Sequence, residues 1–340
     1  MADYPIAPLG QQGGGETTDR AFERTFGGQA MRVLVLGGGP DAEREISLVS
    51  AKAVADALRQ SASHHVDLVT IDRATQAELA SKAADVIVPV LHGPWGEGGP
   101  LQDELEKDGR AFVGCGAAAA RIAMDKVLTK SVALRLGVPT PDFAILRAGD
   151  PGVPLPLPVV VKPVHEGSSV GLHVCRTAED WSRARAAVEA DLAEHPRRVY
   201  MVERMIEGIE ITAGLLDPLG KKATLLPLIQ VVPATGTYDY KAKYTRDDTK
   251  YVVAPSLLPG VELVIGQYAM RLARGMGVRH VCRMDFMVDR QNTPWLLEVN
   301  TMPGFTDHSL VPMAARRLGM EMPALCERLV EMAMRDHGAR

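Results

Sequence analysis

Two apolar runs near the C-terminus, VCRMDFMVD (281–289) and PWLLEVN (294–300), are separated by only four residues, and each carries a carboxylate among core residues. So short a connection makes them neighbouring strands of one sheet. Glu298 and Asn300 are two apart and point to the same sheet face. With the strands paired, Asp285 lies across from them, and three oxygen donors converge on one face. A buried carboxylate without a counter-charge is costly, which favours a bound cation. Hard oxygen ligands that leave coordination positions open suit Mg2+ bridging nucleotide phosphates. Two blander arrangements stay open: exposure on an edge strand, or pairing with Arg283. Arg283, two before Asp285, either balances the acids or stands over an anionic transition state.

The rest of the chain gives that hairpin a setting. Residues 1–29 are Gly-rich and aperiodic and read as a flexible extension. Then MRVLVLGGG, HHVDLVTI and ADVIVPVLHG read as strands, with a helical period between the first two. Strands alternating with helices imply a parallel sheet with ligand chemistry at the strand C-termini. After residue 121 the pattern becomes α+β: a helix over 125–137, strands PVVVKP, VGLHVCR and VYMVERMI, and a helix near 178–192. The last third has strands IEITAGLLD and KATLLPLIQVV (222–232), a polar segment over 233–250, a helix near 262–276 and the hairpin. Three units follow the extension: 30–121, 122–213 and 214–336. With a net charge of -4 the chain is not built for nucleic acid or an anionic membrane. No apolar run is long enough to span a bilayer. Four widely spaced cysteines without a C-x-x-C read as buried thiols of a reducing cytoplasm.

Several further residues have the chemistry of a phosphate site. Lys126 starts a helix, and Lys162 ends a buried strand in VKPVHEGSSVG. The lysine precedes its glycines, the reverse of a P-loop. As point charges the two lysines suit phosphates. Gly167, Ser168, Ser169 and Gly171 suit a loop that folds over those phosphates with backbone N–H groups and hydroxyls, which Glu166 helps position. Glu203, at a strand end, suits an adenine amino group or a ribose hydroxyl, against the alternative of a solvated acidic edge. GTYDYKAKYTRDD holds three tyrosines and two lysines. In an acidic chain this reads as a lid over an anionic substrate. His92 and Glu43 are open between structural and functional roles. The glycines at 37–39 hint at a dinucleotide fold, but no G-x-G-x-x-G follows.

Seven stretches in order, LGGGPDAEREISLVS, LHGPWGEGGPLQ, MDK, VVKPVHEGSSVG, YDYKAKY, RMDFMVD and LLEVNTMPGFTDHSLVPMAA, resemble the D-alanine–D-alanine ligases of the ATP-grasp superfamily. The resemblance runs from about residue 31 to 335. It implies an α/β N-terminal parallel-sheet domain followed by two α+β subdomains that enclose ATP, with two Mg2+ (or Mn2+) ions. By motif position it gives the metals to Asp285, Glu298 and Asn300, and the phosphates to Lys126 and Lys162 with Ser168 and Ser169. Glu203, Arg204, Ile206 and Glu210 resemble the groups around adenine and ribose, and Lys243 lies on the lid between nucleotide and substrate. Glu43 falls where the family grips the first D-alanine, with His92 beside it. Arg283 and the Gly304 N–H match the groups at the reacting carboxylate, and Ser309 and Leu310 those receiving the second D-alanine. Ser168 and Tyr244 resemble the contact that reaches Glu43 and closes the site.

The implied activity is ATP-dependent joining of two D-alanines through an acyl phosphate, for peptidoglycan precursors, by a cytoplasmic homodimer. The sequence departs from the family at Gly98 and Pro100, where Asp and Thr are usual, and at Lys241, where an acid is common. Those positions put the loop near His92 and the charge of the lid in question. Rival readings are a ligase taking D-lactate or D-serine second, which Tyr244 disfavours, and a nucleotide-binding regulator without turnover.

Overall fold

A computed structural model describes residues 30–60, 64–147, 152–167, 170–232 and 249–338. The first elements are β1 (Met31–Gly38), α1 (Arg44–Arg59), β2 (His64–Ile71), α2 (Gln76–Ala80), β3 (Val86–Pro89), α3 (Gly93–Gly96), α4 (Pro100–Asp108) and β4 (Ala111–Phe112). Their strands form a parallel sheet in the order β2-β1-β3-β4. β1 is flanked on both edges and covered on both faces, so its apolar run is unbroken rather than alternating.

The glycines that end β1 are explained by packing. A Cβ at Gly37 would lie 2.6 Å from the Ala51 Cβ of α1, and Gly38 has φ +104° with the carbonyl oxygen of Ile71 2.5 Å from where its Cβ would be. The Gly38 N–H donates to Ser47 Oγ (2.9 Å), whose hydroxyl donates to the Val90 carbonyl. Strand end, helix start and the exit of β3 are therefore tied at one point.

Next come α5 (Ala117–Met124), α6 (Lys126–Arg135), β5 (Phe143–Leu146), β6 (Val159–Pro163), β7 (His173–Cys175), α7 (Ala178–Glu194) and β8 (Tyr200–Arg204). These strands make an antiparallel sheet in the order β5-β8-β6-β7, covered by α7 through Trp181, Ala184 and Val188. The third sheet, also antiparallel, uses β9 (Gly208–Leu216), β10 (Thr224–Leu225), β11 (Ile229–Val232), β12 (Lys250–Val253), β13 (Val281–Asp289) and β14 (Pro294–Asn300). Its path is β12-β11-β9-β13-β14, with β10 beside β9. A parallel sheet followed by two antiparallel ones is the ATP-grasp arrangement expected from the motifs. The run 222–232 is two short strands, not the single one expected. Pro227 falls between them and has no N–H to donate to a ladder.

Three helices complete the chain: α8 (Val261–Met276), α9 (Leu310–Arg317) and α10 (Met322–Gly338). α8 buries Ile265, Ala269, Leu272 and Ala273 against the third sheet, in one core with α5 and α6. α10 returns to the first sheet, where Leu325, Leu329, Val330 and Ala333 share a core with Val33, Val54 and Val88. All four cysteines are buried and form no disulfide. Among the described residues no helix is long and apolar enough to cross a membrane.

Gly38→Ala is expected to cost about 1–3 kcal/mol for its backbone conformation alone, with the Ile71 contact adding to that. Urea unfolding would show it as a lowered midpoint. An unchanged midpoint would mean that this corner is looser than its geometry.

Candidate functional site

β13 and β14 pair with Asp285 opposite Glu298 and Arg283 opposite Asn300, so the four side chains share one face, as their spacing predicts. Of the two blander arrangements left open for these carboxylates, Asp285 realises the pairing with Arg283, while Glu298 lies partly exposed on the edge strand β14. Arg283 Nη2 donates to Asp285 Oδ2 at 2.9 Å and its Nε lies 3.1 Å from both carboxylate oxygens. Thr212, facing Asp285 from β9, donates to Oδ1 at 2.7 Å. Asp285 is only 7 % exposed, so edge exposure is ruled out for it. Glu298 lies 3.5 Å from Lys126 Nζ, and Asn300 Oδ1 accepts the Met302 N–H at 3.1 Å.

Thr212, Arg283, Asp285 and Glu298 form one wall of a cavity between the second and third sheets. Its lining includes Lys126, Lys162, Glu166, Glu210, Thr212, Arg283, Asp285, Glu298 and Leu310. Lys126 is set by its helix: Asp125 caps α6 by accepting the Leu128 N–H (2.9 Å), and Lys126 is the next residue. Its Nζ donates to the Glu166 carbonyl at 2.6 Å, while the Glu166 carboxylate pairs with Arg198 at 3.0 Å. Glu166 thus anchors the loop at both its backbone and its side chain, the positioning role expected for it. Lys162 reaches from β6 to Glu203 Oε1 (2.5 Å).

Glu203 is 3 % exposed and is no solvated edge. Its other oxygen lies 2.8 Å from the Nζ of Lys130, a lysine not singled out by the sequence reading. Burial pushes the Glu203 pKa up, but the two lysines outweigh it and hold the carboxyl below its usual range. Burial pulls Lys130 down to about 8 despite Glu203. The missed signal was helical spacing, since Lys130 follows Lys126 by four residues on α6. Arg204 sits differently. Its guanidinium lies 4.6 Å from the Trp295 ring centre and 3.5 Å from Asp142, outside the cavity lining. Ile206 is buried in the link between β8 and β9.

A second group of loops lies where the first sheet meets the third. Glu43 immediately precedes α1, and a Cβ on Gly167 would lie 3.1 Å from its carboxylate, so the phosphate loop approaches Glu43. Asp41 accepts the Trp95 N–H at 2.8 Å, joining the 39–43 and 92–97 loops. His92 is buried, 3.9 Å from Glu97 through Nδ1. Glu97, also missed, accepts the Gly93 N–H (3.2 Å) and, across the junction, the Met302 N–H (3.3 Å). Burial, reinforced by the charge of Glu43, pushes the Glu97 carboxyl up to about 8. The turn after Met302 closes on Ser309, whose Oγ accepts the Thr306 N–H at 2.9 Å and lies 2.8 Å from where a Gly304 Cβ would be. Ser309 precedes α9, and Leu310 opens it. Ser168, Ser169, Lys241, Lys243 and Tyr244 lie outside the described residues.

Oxygen donors beside two lysines and an arginine, in a cavity between two antiparallel sheets, suit a bound polyphosphate. Comparison with known proteins agrees. A family model described as the D-ala D-ala ligase C-terminus matches residues 135–331. The chain is 42% identical over 301 residues to the D-alanine–D-alanine ligase of Bordetella avium, covering 87% of this chain and 92% of that one. It is 41% identical over 309 residues to the ligase of Anaeromyxobacter dehalogenans, covering 89% and 96%. The crystal structure of the Bacillus anthracis D-alanine–D-alanine ligase complexed with ATP superposes with a TM-score of 0.76 at 26% identity, covering 92% of this chain and 99% of that one. Matched through its C-terminal half by the family model and along most of its length by these relatives, the chain belongs to the D-alanine–D-alanine ligase family.

Proposed function

We propose that this protein uses ATP to join two D-alanine molecules, and that the residues gathered at the cavity carry the reaction. The observation that carries this reading is the convergence of Lys126, Lys162, Arg283, Asp285 and Glu298 on one cavity between the two antiparallel sheets. A carboxylate does not react with an amine, so the first D-alanine is activated: its oxygen attacks the γ-phosphorus, ADP leaves, and an acyl phosphate forms. The amine of the second D-alanine, once deprotonated, attacks the acyl carbon, and phosphate departs as the peptide bond closes.

The chain's own groups have separate tasks in this scheme. Lys126 and Lys162 offset phosphate charge, and Glu203, Ile206 and Glu210 receive adenosine. Glu43, with His92 close by, takes the first ammonium. Arg283, held at the cavity wall by Asp285, meets the tetrahedral oxyanion together with the Gly304 N–H and needs no reorganisation to do so. Ser309 and the start of α9 take the second carboxylate. Asp285, Glu298 and Asn300 would hold two Mg2+ (or Mn2+), which when bound neutralise charge on the phosphates. The donor set fits that use: two carboxylates and an amide on paired strands are too few for an all-protein cage and leave positions for phosphate oxygens. Among the described residues no cluster of three or more His, Cys, Asp or Glu forms such a cage. Buried, unpaired cysteines support a cytoplasmic setting, and the family resemblance supports a homodimer.

Phosphate release from ATP with D-alanine, with D-alanyl-D-alanine as product, tests the reading, and release indifferent to D-alanine rejects it. D-lactate and D-serine as second substrates should yield little product. Arg283→Ala is expected to lower turnover at least a hundredfold, since an oxyanion donor is worth ~3 kcal/mol. Near-wild-type turnover in that variant would remove Arg283 from the reaction.

Glu97 supplies a pH test. With its carboxyl raised to about 8, the native state keeps a proton that the unfolded chain has already lost. Stability from this group is therefore present below the unfolded pKa and falls as pH rises toward 8, by at most about 1.4 kcal/mol per pH unit. Glu97→Gln should gain stability relative to the parent between pH 5 and 8 in urea unfolding. Parallel curves across that range would show that Glu97 is ionised in the native protein.

A further inference from the structure

Lys130 is fully buried, and its ammonium contacts a loop and two strands. Its Nζ donates to Thr140 Oγ1 at 2.7 Å, lies 2.8 Å from Glu203 Oε2 on β8, and is 3.5 Å from the Leu296 carbonyl on β14. Thr140 itself donates to that same carbonyl at 2.8 Å. Lys130 therefore joins the second sheet to the third, behind the cavity and away from its lining. Lys162, the other partner of Glu203, does line the cavity.

The two lysines differ in what a nucleotide would do to them. Phosphates carry several negative charges, so a bound nucleoside triphosphate draws Lys162 away from a single carboxylate. Glu203 would then be a buried carboxylate without a counter-charge, a costly state that a carboxyl escapes by taking a proton. A protonated carboxyl turns one of its oxygens into a donor and keeps only a weaker acceptor on the other, a poorer match to an exocyclic amine that needs an acceptor. Lys130 is out of reach of the phosphates and held by Thr140 and Leu296, so it stays.

We infer that Lys130 is a positioning residue for base recognition: it keeps Glu203 charged and aimed as the acceptor for the 6-amino group of adenine while Lys162 serves the phosphates. This rests on the ligase reading above. It deepens that reading by giving the base preference to a lysine that touches neither nucleotide nor amino acid.

The test uses the full-length enzyme with D-alanine and compares ATP with inosine triphosphate, which has an oxygen in place of the amine. The parent should prefer ATP. Lys130→Met should raise the KM for ATP at least tenfold, leave kcat at saturating ATP within threefold, and erode the preference at least tenfold. Combined with Glu203→Gln it should add nothing to the loss of preference that Glu203→Gln causes alone. Equal losses with both nucleotides, or additive effects in the double variant, would make Lys130 purely structural and overturn the inference. Should Lys130→Met fail to fold, Thr140→Val loosens the same ammonium and should shift the preference two- to threefold in the same direction; an unchanged preference overturns the inference. A parent enzyme inactive with ATP and D-alanine overturns the ligase reading as well, whereas an active parent with an unaltered Lys130→Met overturns this inference alone.

Discussion

The register between β13 and β14 is the constraint on which the site depends. Side chains alternate along a strand, so a slip of one residue would turn Glu298 and Asn300 toward the opposite face from Asp285 and Arg283. That opposite face is already filled: Met284, Phe286 and Val299 are buried against α5, α6 and α8. Such a slip would place Glu298 and Asn300 in that core, at several kcal/mol each. The apolar face therefore fixes the register, and the register delivers the charged face to the cavity.

Once delivered, those charges need partners before any substrate arrives. Asp285 has Arg283 and Thr212, Glu298 has Lys126, and Glu203 has Lys130 and Lys162. Arg283 and Asp285 share β13, but Glu298 of the third sheet and Glu203 of the second each meet a lysine of α6, so that helix ties the two sheets together. Removing one member leaves its partner buried and charged, which costs far more than the pair contributes. Lys126, Lys162 and Arg283 line the cavity, so a bound phosphate could take the place of the carboxylates they now meet.

How much of this could be read from sequence follows from the range of each interaction. The hairpin was legible because period-two alternation and a short turn settle strand pairing locally, and the acids stand out against apolar neighbours. The parallel sheet was legible from its alternation of strand and helix. Lys130 was legible only as a helical neighbour of Lys126, since its burial depends on Thr140, Glu203 and Leu296 being brought around it. Glu97 was hidden in a glycine-rich loop for the same reason, because its burial comes from Met302, far along the chain. Pro227 did announce the break between β10 and β11, but the apolar residues around it masked the signal. Nothing local to 322–338 indicates which sheet that helix covers.

That last helix matters to the chemistry despite its distance from the cavity. Its apolar side completes the core of the first sheet, while Arg335 grips Asp217 with two 2.7 Å hydrogen bonds and Asp336 lies 3.1 Å from His280 Nε2. His280 in turn accepts the Gly114 N–H through Nδ1 at 3.0 Å, which leaves Nε2 to carry the proton toward Asp336. Asp217 and His280 flank strands of the third sheet and Gly114 follows β4 of the first, so α10 and His280 together help set how those sheets meet. The Glu97 contact to Met302 crosses that same junction, and the turn leading to Gly304 and Ser309 starts there. The position of the groups assigned to the reacting carboxylate is therefore decided partly by a helix that touches none of them.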